Sequence, residues 1–505
     1  MADDDNNIQS GIFSRYLSKL FGVLVTGLVN IGLLAVVPRH LGASDYGFFV
    51  YLQNFFFQFF GLVDAGTSSC FYSKLCAQPN RLELLGFYSV YAFAALFLGL
   101  FFCVTIFLFG LQDYVFSAIP IDLVFLGCFF CFLMWALQVV VKLADAYGRT
   151  ILVESIKAAQ RLFVFSLVLL VASSAWLNVR TYFLINIATL MVIVIIALAI
   201  IFRVEKINIS AAFSFKLRAI GNEFLKYSSP LLAYGLVAFT VGIFDFWLLQ
   251  NKSGSSAVGE YGFAFGLAAI AMTLSASMTP LIIRQFSFYF SKDDRPALVA
   301  TFQRYIPMFY GLTAFVSVAI FYNSGLIVQM VGGDEMNEAS LVFTVLALYP
   351  IHQTLGQLCG GYFFATGDTR RYRNIGAFSF SVGIPITYLM VSVFEWSGFG
   401  LALKVVFVQF IAVHLQMYFA CRALSVSVTK IFINQTLILI MFLVFGYFSF
   451  QQGAFGGNPI HLILQVGVYF AAGIAIVILM PKSFGLSRHD IGVFYLRAIR
   501  LARRR

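Results

Sequence analysis

The chain has 505 residues, 61% of them hydrophobic and only 11% charged, with a mean hydropathy of +0.90. A soluble domain carries about 25% charged residues, so so little charge cannot cover a water-facing surface of this size, and most of the chain must face lipid. The net charge of +11 would suggest a nucleic-acid partner in a soluble protein; here it fits basic loops beside anionic headgroups, and no nucleic-acid partner is expected.

The opening MADDDNNIQS is acidic. It lacks the basic start and small-residue cleavage site of a secretory signal, so the first apolar segment is expected to stay as an uncleaved span. A helix needs about 20 apolar residues to cross a bilayer. In chain order the runs that meet this are 16–37, 46–66, 86–110, 121–142, 152–175, 181–202, 228–250, 259–283, 305–330, 341–364, 375–394, 398–420, 431–450 and 460–480, about fourteen in all. Lys157 and Arg161 interrupt the start of the fifth. The longest stretch between runs, 203–227, is polar, basic and amphipathic, and reads as a linker. The expected order is a cytoplasmic tail over 1–15, a six-helix lobe over 16–202, the cytoplasmic linker 203–227, a second six-helix lobe over 228–421, two additional helices over 422–480, and a basic cytoplasmic tail over 481–505.

The two bundles look like copies. Asp45-Tyr46-Gly47-Phe48 opens the second span and Glu260-Tyr261-Gly262-Phe263 the eighth; ADAYGRT (144–150) closes the fourth and FATGDTR (364–370) the tenth. Parallel repeats about an axis along the membrane normal are a transporter architecture, and this likeness predicts that Tyr46 overlays Tyr261. The fold class is an all-α polytopic membrane protein with two six-helix lobes in pseudo-twofold repeat plus two C-terminal helices. Placing the N-terminus inside leaves only Arg39, Arg180 and Lys252 in outer loops, and puts Lys74, Arg81, Arg149, Arg203, Arg295, Arg370 and the other loop cations on the cytoplasmic side. That is the positive-inside asymmetry, and it places both termini in the cytoplasm.

An ionisable group inside a span is costly unless paired or hydrated, and so is a candidate for function. Gln138, Lys142, Asp145 and Arg149 share one face of the fourth span; Glu154, Lys157 and Arg161 share one face of the fifth. The first span carries Lys19 and Asn30, and the second ends near Asp64. A basic first bundle suits an anionic substrate, so Lys19, Asn30, Lys142, Lys157 and Arg161 are candidates for binding it, with Lys404 in the twelfth span. Asp64, Asp145, Glu154, Asp245 and His352 are candidates for carrying a coupling ion, His352 because imidazole titrates near neutral pH. The plainer alternative for Lys142–Asp145 and Glu154–Lys157 is a ladder of exposed pairs worth about 0.3 kcal/mol each; for His352 it is packing. Seven cysteines make no disulfide framework, and Cys128 and Cys131 stand as apolar fillers within GCFFCFLMW, so no metal or cofactor is expected.

The stretch VPRHLGASDYGFFVYLQNFFFQFFGLVDAG resembles the first hairpin of bacterial polysaccharide-unit (O-antigen) flippases. These are the Wzx-type members of the multidrug/oligosaccharidyl-lipid/polysaccharide exporter superfamily. Their pattern of an Arg, Leu-Gly, Tyr-Gly and Asp-x-Gly is matched by Arg39, Leu41-Gly42, Tyr46-Gly47 and Asp64-Ala65-Gly66. In the second bundle Asp245 and Gly259-Glu260-Tyr261 match, with Phe246 where such proteins often have Arg, and the likeness continues through GQLCGGYFFATGDTRRYRN. The resemblance implies two six-helix lobes around a central cavity, two extra helices and alternating access. It implies a flippase that moves an undecaprenyl-diphosphate-linked oligosaccharide from the inner to the outer leaflet of a bacterial inner membrane. Its implied partners are that lipid-linked oligosaccharide, membrane lipids, and the polysaccharide polymerase and glycosyltransferases of the same pathway. With no nucleotide-binding loop in the sequence, a proton or sodium gradient is expected to drive it. A drug/cation antiporter or a lipid II flippase of the same fold are the near alternatives. A membrane glycosyltransferase or polymerase would carry a large outer loop with catalytic residues, and no such loop is present; no catalytic residue is assigned and no enzymatic activity is expected.

Overall fold

The computed structural model describes residues 2–208, 212, 214, 216–450, 459–487, 489 and 490; the side chains of 2–25, 230–231, 233–234, 273–278, 280–281 and 459–463 are outside that description. The described residues are 88% helical, with no strand among them. Lipid dictates this, because a helix satisfies its backbone within one segment. In chain order the helices are α1 (Ala2–Asp64), α2 (Thr67–Ala77), α3 (Glu83–Leu108), α4 (Gln112–Val115), α5 (Ile121–Ala146), α6 (Thr150–Ser173), α7 (Val179–Val204) and α8 (Leu217–Ser291). They continue with α9 (Arg295–Tyr322), α10 (Ser324–Gly332), α11 (Ala339–Leu346), α12 (Tyr349–Thr366), α13 (Thr369–Thr387), α14 (Ser397–Leu424), α15 (Val428–Phe450) and α16 (Pro459–Leu479). Among the described residues ten helices are long and apolar enough to cross a membrane. The molecule is an all-α polytopic membrane protein.

Packing sorts the chain into two compact units. Unit 1 comprises Met1–Phe263, Val331–Met336 and Ile384–Leu401; unit 2 comprises Ala264–Met330, Asn337–Gly383 and Ala402–Arg505. In unit 1, α1 lies on α5 and α6, and α5 lies on α7. The interior is aromatic: Phe49 meets Tyr182 at 4.9 Å and Phe183 at 5.2 Å between ring centroids, and Phe55 meets Phe116 at 5.1 Å. In unit 2, α9 is central, packed on α12 and α15 through Phe302, Ile306, Phe309, Phe363 and Phe442. Phe315 stacks on Tyr469 of α16 at 4.6 Å, and the Tyr469 hydroxyl donates to the Phe315 carbonyl.

Two expected pairs of spans run together as single long helices, each broken at one glycine. Gly42 interrupts α1 with φ 76° and ψ 166°, and Gly254 interrupts α8 with φ 83° and ψ 177°. Both torsions lie where essentially only glycine goes. Just past the breaks the two helices cross within unit 1. A Cβ on Gly47 would overlap the Ser255 carbonyl, one on Gly259 would overlap the Ala43 carbonyl, and one on Gly262 would meet Val50 Cγ1 at 2.5 Å. Ala43/Gly47 and Ser255/Gly259 are small residues four apart on each helix, the pattern that lets backbones touch in a membrane.

The contacts are reciprocal. Gly42, Ala43, Gly47 and Val50 correspond to Gly254, Ser255, Gly259 and Gly262 at one constant offset, which is local twofold symmetry. That offset is about one helical turn short of the one pairing Tyr46 with Tyr261. The Tyr-Gly-Phe likeness pairs the same two helices at a different offset. Phe246, where an Arg was the usual residue, packs edge-on against Tyr261 with centroids 5.5 Å apart. At the same end Arg39 Nε donates to the Val331 carbonyl at 2.8 Å. Glu335 Oε2 would lie 3.6 Å from a Cβ on Gly42, so the acidic 331–336 segment closes over the α1 break.

The start of α8 is tied to the turn between α2 and α3. Glu223 accepts from Arg81 at 3.0 and 3.1 Å and from Lys74 at 2.8 Å. Those hydrogen bonds, from Arg81 first and then Lys74, hold its carboxyl at about 2, below the ordinary 4.5. A depressed folded-state value means that the stabilisation is present above about pH 4.5 and is lost as pH falls toward 2. With 37% of the Glu223 side chain exposed, water and salt screen the clamp and its contribution is small.

Two outcomes are expected. Gly47→Leu or Gly259→Leu should lower the thermal stability of the purified protein by about 1–3 kcal/mol or more, since the crossing has no room, whereas Gly61→Ala, with nothing within 4 Å of its Cβ, should be neutral. Equal melting temperatures for all three would remove the crossing. Glu223→Gln should melt slightly below wild type at neutral pH, with the gap closing as pH is lowered through 4.5; a gap independent of pH would show that Glu223 is not held as a carboxylate.

Candidate functional site

The Asp64-Ala65-Gly66 motif is the turn between α1 and α2. Ala65 and Gly66 take left-handed torsions (φ 38° and 82°), which turns the chain and brings the Asp64 carboxylate over the start of α2. Oδ1 accepts from Thr67 Oγ1 at 3.2 Å, the Ser68 amide at 3.1 Å, the Tyr88 hydroxyl at 3.2 Å and Trp135 Nε1 at 3.2 Å; Oδ2 accepts from Ser68 Oγ at 2.8 Å. So many donors suit an ionised carboxylate and hold it in place.

Lys142 of α5 reaches the same spot. Its Nζ donates to Ser68 Oγ at 2.6 Å and Ser69 Oγ at 3.2 Å. Ser68 therefore links the ammonium to the carboxylate, accepting from one and donating to the other. Asp145, the expected i,i+3 partner of Lys142, accepts from Thr150 Oγ1 at 2.6 Å. Lys142 is half-buried and has an anchored stem rather than a ladder on one helix. Beside it, between α3, α5 and α7, lies an apolar groove of about 250 Å³ lined by Tyr88, Phe93, Phe132, Trp135, Val139 and Leu143.

The other first-bundle candidates separate. Glu154 and Lys157 form the i,i+3 pair expected of α6, at 3.1 Å, with Glu154 the better buried. Arg161 is half-buried one turn on, and Gln160 donates to Thr189 Oγ1 of α7 at 3.1 Å. Asn30 is exposed on α1. The Lys19 side chain lies outside the described residues.

Asp245 is 9% exposed in unit 1, where Thr387 Oγ1 donates to it at 2.6 Å. In unit 2, Lys404 of α14 is 4% exposed, and its stem runs over Gly383, where a Cβ would lie 3.0 Å from Lys404 Cε. His352 of α12 is 8% exposed; its ring meets Phe410 edge-on at 5.3 Å and faces His414 at 6.1 Å between centroids. The structure thus brings Asp64 and Lys142 together, and Glu154 and Lys157 together, while leaving His352 with His414. Sequence reading missed Ser68, Ser69, Tyr88 and Trp135 around Asp64, and missed His414. The Thr-Ser-Ser run following Asp-x-Gly was the available signal for the serines, as a helix start with hydroxyls.

No family model matches the sequence, and no curated protein matches it. Solved structures do. The chain is similar to a structure of the lipid II flippase MurJ in an inward closed conformation, with TM-score 0.71 and 12% identity over 93% of this chain and 99% of that one. It is similar to an inward-facing multidrug resistance MATE family transporter of the MOP superfamily, with TM-score 0.61 and 15% identity over 81% and 96%. An outward-facing transporter of that kind aligns with TM-score 0.53 and 16% identity over 83% and 96%. At these identities the likeness is one of fold, and this chain shares the fold of these solved structures.

Proposed function

We propose that this protein is a flippase moving an undecaprenyl-diphosphate-linked oligosaccharide from the inner to the outer leaflet of a bacterial inner membrane. It works by alternating access between lobes 16–202 and 228–421, with both termini cytoplasmic and an ion gradient as the driving force. The observation that carries this reading is Lys142, an ammonium held on two serine hydroxyls where α2 begins. An amine, hydroxyls and the positive end of a helix are together the donors that phosphate oxygens take. The MOP transporter fold supplies the setting, and the adjoining groove has the apolar lining that a prenyl chain requires.

The same geometry accounts for release. Asp64 occupies the donors of the α2 start while the site is empty, so an arriving diphosphate competes with an internal anion instead of filling a vacant clamp. Lysine suits this, because a point charge on a flexible stem binds without the bidentate fork that would make arginine slow to let go. Lys157 beside Glu154 has the same form, a cation partly neutralised by a carboxylate. Arg161, Asn30, Lys19 and Lys404 are further candidates along the path. Asp64, Asp145, Glu154, Asp245 and His352 are candidates for the coupling ion. The second reading is a lipid II flippase, favoured by the likeness to that structure over 93% of the chain.

Complementation of a strain lacking its polysaccharide flippase tests the reading. Lys142→Ala should reduce surface polysaccharide on the order of tenfold, the loss of one charge-assisted hydrogen bond of about 1.5 kcal/mol, with the protein still folded and inserted. Lys157→Ala should act in the same direction, and Lys142→Arg should retain part of the activity. If both alanine variants complement fully at normal membrane levels, these lysines are not the diphosphate site and Lys404 becomes the next candidate. Rescue of a strain depleted of its lipid II flippase, without rescue of the polysaccharide strain, would establish the second reading instead.

A further inference from the structure

Unit 2 contains a polar seam between α12 and α14 that the Lys142 site does not use. Gly356 makes room for it: a Cβ there would lie 2.9 Å from Val413 Cγ2, 3.2 Å from Gln409 Nε2 and 3.9 Å from Gln416 Oε1. Gln409 Nε2 donates to Gln353 Oε1 at 2.8 Å, and the Tyr349 hydroxyl donates to the same oxygen at 3.3 Å. Two atoms on the seam have no partner: His352 Nδ1 and Gln416 Oε1, on side chains only 8% and 7% exposed. In lipid a polar atom without a partner is costly, because no bulk water can take the missing partner's place.

His414 adds a third acceptor. Its Nδ1 lies 2.7 Å from the Phe410 carbonyl, and a carbonyl can only accept, so the hydrogen is on Nδ1 and Nε2 carries a lone pair. The two imidazoles stand 6.1 Å apart with Phe410 against both rings. His414 is the titratable group that faces His352 from α14, and Tyr349 is the one beside it on α12. The cations on the surrounding helices are engaged elsewhere: Arg304 of α9 pairs with Asp490, Arg371 of α13 with Asp368, and Arg422 of α14 donates to Tyr418. Lys404 lies about three turns before His414 on α14, and Arg284 stands on α8 next to Ile283, whose side chain meets Gly361 well along α12.

The ligand that fits is the smallest donor. Nitrogen acceptors and a single amide oxygen in an aromatic, carboxylate-free setting do not make the oxygen cage that a hard cation needs, and among the described residues no group of three His, Cys, Asp or Glu could hold a metal ion. We propose that His352 and His414 form a one-proton site inside unit 2, and that proton binding there drives transport. The proposal rests on the transporter reading and names its coupling ion. With the His352 hydrogen on Nε2, a proton arriving on Nδ1 makes that nitrogen a donor, and Gln416 Oε1 is an unpartnered acceptor on the same seam. A second proton is disfavoured, because two imidazolium ions this close repel.

The test uses the full-length protein in lipid nanodiscs with its five histidines labelled with ¹⁵N in the ring. Signals are assigned by His40→Gln, His461→Gln and His489→Gln as well as by His352→Gln and His414→Gln, so no single variant need fold. Titrated from about pH 9 to about pH 3, His414 should begin as the Nδ1–H tautomer, His352 should gain a proton, and only one of the two should titrate fully. His414→Gln should move the His352 midpoint upward by removing the repulsion. In cells, polysaccharide export by wild type should depend on external pH, and His352→Gln should flatten that dependence. A His352 signal unchanged throughout, or one moved by sodium chloride and not by acid, overturns the proposal. Titration of His352 in a wild-type protein that supports no polysaccharide export would leave the proton site standing and remove the substrate reading.

Discussion

Hydrocarbon offers no hydrogen bonds, and the rest of this structure follows from that. Every backbone group must be paired within the chain, so the described residues are almost wholly helical. Polar side chains obey the same demand. Many hydroxyls turn back to a carbonyl of their own helix, as Thr105 does to Phe101, Ser166 to Leu162 and Thr313 to Phe309. Buried carboxylates take partners from distant helices, Asp64 from α2, α3 and α5, and Asp245 from Thr387. Among the described residues a few buried atoms depart from this rule, His352 Nδ1, Gln416 Oε1 and the amide of Gln435 among them.

The constraint also explains what could be read in the sequence. A span is a property of about 20 consecutive residues, so the expected runs fall on helices, with 305–330 split at Asn323 and 341–364 split at 347–348. Pairing on a single helix is nearly as local, and Glu154–Lys157 on α6 is the i,i+3 contact that spacing predicts. What spacing does not carry is the identity of a partner on another helix. Lys142 has Asp145 three residues away, yet it reaches Ser68 and Ser69, which only the packing of α2 against α5 brings near. His352 could be named from its type, but His414 could not be linked to it before α12 and α14 were placed side by side. The repeat shows the same limit. Four-residue likeness identified the right pair of helices, while the register was set by where glycine breaks the helix and where backbones touch.

Each residue of the hairpin motif has a physical task. Arg39 holds the Val331 carbonyl, Gly42 breaks α1, Gly47 permits the crossing, and Asp64 with Gly66 starts α2. None of these tasks concerns a sugar. The solved structures that resemble this chain include both a lipid II flippase and multidrug transporters. Lys142 and Lys157, the proposed substrate contacts, lie outside the motif.

Two contacts within unit 1 are held by forces of different range. Backbones in contact at Gly47 and Gly259 gain dispersion energy only at that separation, and a gap of even 1 Å forfeits much of it. Such a contact is either made or lost, as a switch between two states requires. The Glu223 clamp on Arg81 and Lys74 lies in a partly exposed, charged setting. Its attraction falls off gradually with distance and is shared with water and salt. A clamp of that kind can loosen and re-form without a large barrier. The glycine crossing is a contact of fixed geometry, and the Glu223 ion pairs are an adjustable one.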